Sequence, residues 1–207
     1  MIIAVDGPTA SGKGTIAKAL AAHFGLPHLD TGLLYRAVGL QCQRNGGNPD
    51  NPGDALAVCD FPDYLIADPE LRSEAIGSLA SRVSVHPEVR AALYDLQRAF
   101  ATQPGGAVLD GRDIGTVIAP EAEVKLFVTA SVPARARRRY DEMRGAGHQV
   151  SLSEIAADLE ARDLRDRTRS EAPLVAAPDA LVLDTSTASR DKAVAEAIRA
   201  VEMLIAD

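Results

Sequence analysis

Hydrophobic positions along the chain follow two alternating patterns. Short apolar runs at residues 2–5, 27–30, 107–110, 124–128 and 180–183 predict strands. Between them the apolar residues recur every three or four positions, as helices require. Ile16, Ala17, Leu20, Ala21 and Phe24 share one face, and a helix is expected from Leu33 to about Arg44, stopped by Asn45-Gly46-Gly47. A short helix near Asp54–Cys59, an irregular Phe61-Pro62-Asp63-Tyr64 and a helix over about Glu70 to Arg82 come next. Pro87 opens another, with Val89, Leu93, Leu96 and Phe100 as its expected inner face. Ser131 and Pro133 start a helix that ends near Gly145-Ala146-Gly147. Ser151 and Glu154 have capping-box spacing at the head of one reaching about Arg169. Val194, Ile198, Val201 and Ile205 mark the last. Strands alternating with helices imply an α/β fold, a five-stranded parallel sheet with helices on both faces.

The spacing of the strands adds two lobes. About seventy-five residues separate strands two and three, far more than the dozen or so a crossover needs. A single domain over 1–207 is expected, with a core of 1–35, 85–134 and 170–207, an insert at about 36–84 and a lid at about 135–169. Ligands of such sheets bind beyond the carboxyl ends of the strands, so the two lobes would flank a cleft with a moving wall.

Composition narrows the partners. A net charge of −7 and 4% aromatic residues argue against general nucleic-acid or anionic-membrane binding. Cys42, Cys59 and the four dispersed histidines have no metal-ligand spacing. The chain starts on a core strand with no room for a signal peptide, and no apolar run reaches membrane-spanning length, so a cytoplasmic monomer is expected.

Chemistry enters at Gly7-Pro8-Thr9-Ala10-Ser11-Gly12-Lys13-Gly14-Thr15. Gly7 and Gly12, with four residues between them, set between a strand and a helix and followed by lysine, make a phosphate-binding loop (P-loop). Backbone N–H groups and the helix N-terminus face the anion, and Lys13 adds a mobile charge. The usual hydroxyl after the lysine is displaced by Gly14 to Thr15. Asp110 ends a buried strand, where a carboxylate needs a cation or several donors. Magnesium held through water would satisfy it, and capping of the following loop would serve equally well. Gly111-Arg112-Asp113-Ile114-Gly115-Thr116 then places paired charges at the cleft edge. Residues 135–169 hold nine arginines, no lysine and seven acids, a local positive excess suited to phosphate. The pairs Asp158–Arg162, Arg162–Asp166 and Asp163–Arg167 would also fit a solvated, salt-bridged helix.

Taken together, the loop, Asp30-Thr31-Gly32-Leu33-Leu34-Tyr35-Arg36, Asp110–Thr116 and Arg162-Asp163-Leu164-Arg165-Asp166-Arg167-Thr168-Arg169 resemble the bacterial cytidylate kinases, in order and over nearly the whole chain. The resemblance implies a P-loop NTPase-type fold and transfer of the γ-phosphate of ATP, with Mg²⁺, to CMP or dCMP. It implies that Gly7 to Thr15 hold ATP under lid arginines Arg135, Arg138 and Arg139, with Thr15 and Asp110 toward the metal. Arg36, Arg112 and Arg169 would grip the acceptor phosphate. Ser81, Arg90 and Asp113 would read cytosine, Arg162 and Asp166 the sugar, and Thr31 stands where the family often has serine. Lys13, Arg112 and Arg169 are the catalytic candidates. The insert is shorter than in family members that carry a small antiparallel sheet there. A kinase for a different small acceptor, or a nucleotide-dependent switch or nucleic-acid ATPase, would use the same loop. The first should lack the acceptor-phosphate arginines, and the second would want a basic or aromatic surface.

Overall fold

The computed structural model describes residues 1–206. Five strands, β1 (Ile2–Asp6), β2 (His28–Asp30), β3 (Ala107–Gly111), β4 (Val124–Thr129) and β5 (Leu181–Asp184), form one parallel sheet in the order β2-β3-β1-β4-β5. Every expected strand is present within a residue or two. The interior strands read as unbroken apolar runs because both faces are covered. Ile3 and Val5 point to one side, where they meet Ile16, Leu20, Ala197 and Val201 of helices α1 (Lys13–Phe24) and α8 (Arg190–Ala206). Ala4 and Leu109 point to the other, against Ile114, Ile118 and Ala101, the last from α5 (Pro87–Ala101).

The insert consists of α2 (Gly32–Arg44), α3 (Pro52–Leu56) and α4 (Glu74–Val83), joined by 3₁₀ turns at Asp63–Ala67 and Pro69–Arg72. It has a core of its own in Val38, Leu40, Leu65, Leu71, Ile76 and Val83. No strand lies in it. The helices α6 (Val132–Gly145) and α7 (Leu152–Thr168), the stretch expected as a lid, pack on each other. Among the described residues no helix is long and apolar enough to cross a membrane.

The expected inner faces of two helices are displaced. In α5 the buried stripe is Val89, Leu93, Gln97 and Ala101, while Leu96 is exposed. Gln97 occupies the inner position because its amide donates to the Leu93 carbonyl at 3.0 Å. In α8 small residues, Ala193 and Ala197, approach the sheet with Val201, whereas Ile205 is exposed. At the head of α7 the capping box does not form: Ser151 makes no cap bond, and its Oγ lies 2.7 Å from that of Ser153. The helix of the insert starts at Glu74, four residues later than the apolar spacing suggested, because Ser73 caps the Ile76 N–H.

Asp6 ends β1 in a buried position and receives the N–H groups of Ile114 and Gly115, each at 2.8 Å. Those donors begin a π-helical turn, Ile114–Ile118, that the sequence pattern did not announce. Burial pushes the Asp6 carboxyl up to about 7, against the pull of the two N–H groups. The folded chain therefore keeps a proton that the unfolded chain has lost, so this group's contribution to stability is complete below about pH 4 and fades as pH rises through 7. Relative to Asp6→Asn, the native chain should lose about 2–3 kcal/mol of stability, several degrees of unfolding temperature, between pH 5 and pH 8. Thermal unfolding of both proteins at the two pH values checks this; a difference that does not change with pH contradicts it.

Candidate active site

The loop Gly7–Gly12 leaves β1 and enters α1 at Lys13. Gly7 is required by close approach, since a Cβ there would lie 2.0 Å from the Val128 carbonyl oxygen of β4. Ala10 has φ +61, a left-handed conformation uncommon for a residue with a side chain. The Ser11 Oγ is buried without a hydrogen-bond partner, which suits a loop shaped around an anion. Thr9, Ala10, Gly12, Lys13, Gly14 and Thr15 line a cleft of about 450 Å³ with Asp30, Asp110, Arg112, Arg138 and Arg139. Burial, followed by the charge of Arg112, lowers the Lys13 ammonium to about 8.

Parallel register sets Asp30 beside Asp110 at the carboxyl edge of the sheet. Asp110 is only 2% exposed. His28, two residues upstream on the neighbouring strand, approaches its Oδ1 with Nε2 at 2.7 Å, and Thr31 donates its hydroxyl to the Asp110 carbonyl at 2.9 Å. Its other oxygen faces the loop, 3.6 Å from where a Cβ on Gly14 would stand. His28 was not legible as a site residue, since a lone histidine gives no motif.

A second cleft lies between the loop, the insert and the lid. Thr31, Arg36, Ser81, Arg90, Arg112, Asp113, Arg162, Asp166 and Arg169 all line it. Thr9, Gly32, Arg36, Gly111 and Arg112 line both clefts, so the two are continuous. Three interactions order its far wall. Arg90 pairs with Asp113 Oδ2 and lies 5.5 Å from the centre of the Tyr35 ring, and Arg169 stands 3.5 Å from Asp113 Oδ1. Arg36 is anchored by the Leu71 and Ser73 carbonyls at 2.6 and 2.9 Å. Ser81 Oγ accepts from Arg165 Nε at 3.1 Å.

The α7 charges separate the two readings of the arginine-rich segment. Of the three possible pairs along the helix, only Asp158–Arg162 forms, at 2.8 Å. Asp166 turns instead to Arg112 Nε at 2.8 Å, and Asp163 forms a bidentate pair with Arg135 at 3.0 and 2.6 Å. Asp163 and Asp166 therefore reach off the helix to Arg135 and Arg112, and of the three only Asp158 neutralises a charge of its own helix.

The lid arginines are placed unequally. Arg135 is 2% exposed and its donors go to Asp163 and to the Ala130 and Thr9 carbonyls, so it braces the loop from behind and lines neither cleft. Arg138 reaches the donor cleft while bonding Thr185, whose hydroxyl also donates to the Ser11 carbonyl at 2.8 Å. Arg139 pairs with Glu74 of the insert and with Glu142 at 2.7 Å. Glu74 also meets Arg162 at 3.2 Å, so one carboxylate ties lid to insert across the mouth.

Arg36 is lowered to about 10 by burial and by the neighbouring Arg162. Burial also holds Arg162 and Arg169 below the ordinary guanidinium value, with nearby arginines adding to the effect. Cations crowded in this way favour an incoming dianion. Gly77 permits the crowding, as its Cβ would stand 2.8 Å from Arg36 Nη2 and 3.1 Å from Arg162 Nη1.

A lysine-bearing phosphate loop, opening directly onto a separate pocket walled by arginines, defines a P-loop nucleotide kinase. The cytidylate kinase family model matches residues 3–203. The cytidylate kinase of Cereibacter sphaeroides (strain ATCC 17023) is 57% identical over 97% of this chain and 95% of its own, and that of Xanthobacter autotrophicus is 54% identical over 98% and 97%. The crystal structure of an uncharacterized protein from Eubacterium ventriosum shares the fold, with a TM-score of 0.55, 15% identity and 98% of each chain covered. The chain belongs to the cytidylate kinase family.

Gly77→Ala should displace the two guanidiniums rather than unfold α4, since flexible side-chain ends are what the new methyl meets. The expected outcome is a KM for the acceptor nucleotide raised about tenfold, or about 1.4 kcal/mol of binding, with an unfolding temperature within a few degrees of the native chain. Steady-state kinetics and thermal unfolding on the same preparations check it.

Proposed function

We infer that this protein transfers the γ-phosphate of ATP to CMP or dCMP, giving ADP and CDP or dCDP. The observation that carries the residue assignment is the single cleft in which base-reading, sugar-reading and phosphate-gripping candidates converge beside the loop. The acceptor phosphate, with a second pKa of about 6, is largely a dianion at neutral pH and needs no general base. What the site must do is bring two anions into line. Lys13 and the loop N–H groups hold the donor, Arg36, Arg112 and Arg169 hold the acceptor, and Arg112 at the junction serves both.

Magnesium fits the donor cleft on chemical grounds. No group of three or more acidic, histidine or cysteine side chains able to hold a metal occurs among the described residues. That suits an ion carried mainly by nucleotide phosphates and water, with Thr15 and Asp110 as its protein contacts. When bound, it supplies charge neutralisation between the β- and γ-phosphates. The adenosine end of ATP would lie on the outer side of the loop, where Ile16, Ala188, Ala193 and Val194 offer apolar surface beside Arg138, Thr185 and Ser189.

Asp113 reads the base. Both its oxygens keep a lone pair beyond their arginine contacts, and the exocyclic amino group of cytosine can donate to one. Uracil presents a carbonyl there, setting two acceptors face to face in place of a hydrogen bond, a cost of about 1–3 kcal/mol, five- to more than a hundredfold in rate. The acceptor cleft encloses about 80 Å³ where ligand sites commonly hold about 300 Å³ or more. A nucleotide entering there would displace the Glu74 contacts that join the insert to α6 and α7.

With ATP and Mg²⁺, release of ADP should be fastest with CMP or dCMP among CMP, dCMP, UMP, AMP and GMP. Equal rates with and without CMP, or a clear preference for AMP, overturn the assignment. Asp113→Ala should narrow the gap between CMP and UMP while changing ATP affinity little. Kinetics with both acceptors and a direct ATP titration test this, and full retention of the CMP preference would remove Asp113 from base recognition.

A further inference from the structure

We propose that Thr9, a residue of the donor loop, is a positioning residue for the acceptor site, and that its hydroxyl couples the binding of the two nucleotides. The proposal rests on the reading that Arg112 takes the acceptor phosphate.

Thr9 stands where two arginines converge. Its Oγ1 accepts from Arg112 Nη2 at 2.6 Å, and its carbonyl accepts from Arg135 Nη1 at 3.2 Å. Each arginine is fixed at its other end by an acid of α7, Arg112 by Asp166 and Arg135 by Asp163. Asp163 and Asp166 lie one turn apart, so the tip of the loop hangs from the lid helix through two guanidiniums. The following residue, Ala10, has φ +61, and this local twist sets the direction in which Thr9 faces.

Donor accounting shows what the hydroxyl does. Arg112 has five N–H groups. Its Nε goes to Asp166, Nη1 reaches the Gly111 carbonyl at 3.3 Å, and Nη2 goes to Thr9. Two donors are left for the cleft. Without the hydroxyl, Asp166 and one long contact hold the guanidinium, and its plane is free to turn about the Nε anchor. The contact from Thr9 fixes that plane. Thr9 keeps its own hydroxyl hydrogen and lines both clefts, so the same group faces both phosphates.

ATP seated in the loop orders its backbone, and thereby Thr9 and Arg112. CMP then meets an arginine already set, and by linkage CMP must favour ATP by the same factor. The alternative is that Thr9 only lines the donor site. In that case its loss weakens ATP and leaves the effect of ATP on CMP untouched.

The test measures CMP affinity by calorimetry, alone and with a saturating non-hydrolysable ATP analogue with Mg²⁺, in the native protein and in Thr9→Ala, Thr9→Val and Thr9→Ser. The analogue should tighten CMP about fivefold or more in the native protein, within the usual range of such couplings. Thr9→Ser should keep that factor. Thr9→Ala and the isosteric Thr9→Val should reduce it below about twofold. Coupling that survives in Thr9→Val, is absent from the native protein, or is lost equally in Thr9→Ser overturns the proposal. CMP-dependent release of ADP by the native protein is measured alongside. Its absence would overturn the kinase reading itself, whereas its presence with unaltered coupling in the variants would overturn only the role of Thr9.

Discussion

Two carboxylates one turn apart on α7 hold two guanidiniums, and the arrangement of the site follows from them. Asp163 with Arg135 and Asp166 with Arg112 are largely desolvated pairs. Such pairs are poor sources of stability, because removing both charges from water offsets most of their attraction. They are good sources of geometry: the bidentate Asp163–Arg135 pair leaves few alternatives, and Arg112 is held by Asp166 at Nε and by Thr9 at Nη2. Burial works against the Arg112 charge, and Asp166 more than reverses it, holding the guanidinium above its ordinary pKa. A dependable cation thus stands at the junction of the clefts, its position set by the lid and its contact made with the loop.

Three other arginines of the cleft, Arg36, Arg162 and Arg169, have the opposite balance. Arg36 has backbone carbonyls for partners, Arg162 and Arg169 share carboxylates with other arginines, and burial lowers all three. The cluster is short of negative charge until an anion enters. In its place Glu74 supplies a single carboxylate to Arg139 and Arg162. The Glu74 pairs also join the insert to α6 and α7 across the mouth of the cleft. Ion pairs at the mouth are individually weak, so they can be exchanged for phosphate contacts without a large barrier.

The fold was legible in the sequence because buried parallel strands leave a simple trace: apolar runs, with helices between them. Helix phase was less legible. In α5 and α8 the inner face carries Gln97, Ala193 and Ala197, and hydropathy cannot see that a small or internally bonded residue packs better than Leu96 or Ile205. The acceptor-cleft candidates were found through motifs, and all of them line one cavity. Motifs could not divide the arginines by task. Arg135 and Arg138 lie three residues apart with similar flanks, yet one is a buried brace behind the loop and the other reaches the donor cleft. What distinguishes them is the partner each meets across the fold, Asp163 for one and Thr185 for the other, and these lie 28 and 47 residues away. His28 and Asp6 were missed for a similar reason, since their roles exist only once β1, β2 and β3 are in register.

Asp6 shows how closely the two halves of the site are joined. It is the last residue of β1, and the next, Gly7, begins the donor loop. Its carboxylate receives Ile114 and Gly115, the residues that follow Asp113. One strand end therefore fixes both the start of the phosphate loop and the turn that follows Asp113. A π-helical turn is seldom favourable by itself, and here two hydrogen bonds to the two oxygens of a buried acid hold it. Burying that acid raises its pKa to about 7, which costs stability at neutral pH. The cost has a structural return, because a neutral side chain with one acceptor could not receive both N–H groups equally. The phosphate loop and the turn after Asp113 thus share one origin in the centre of the sheet, at the end of β1.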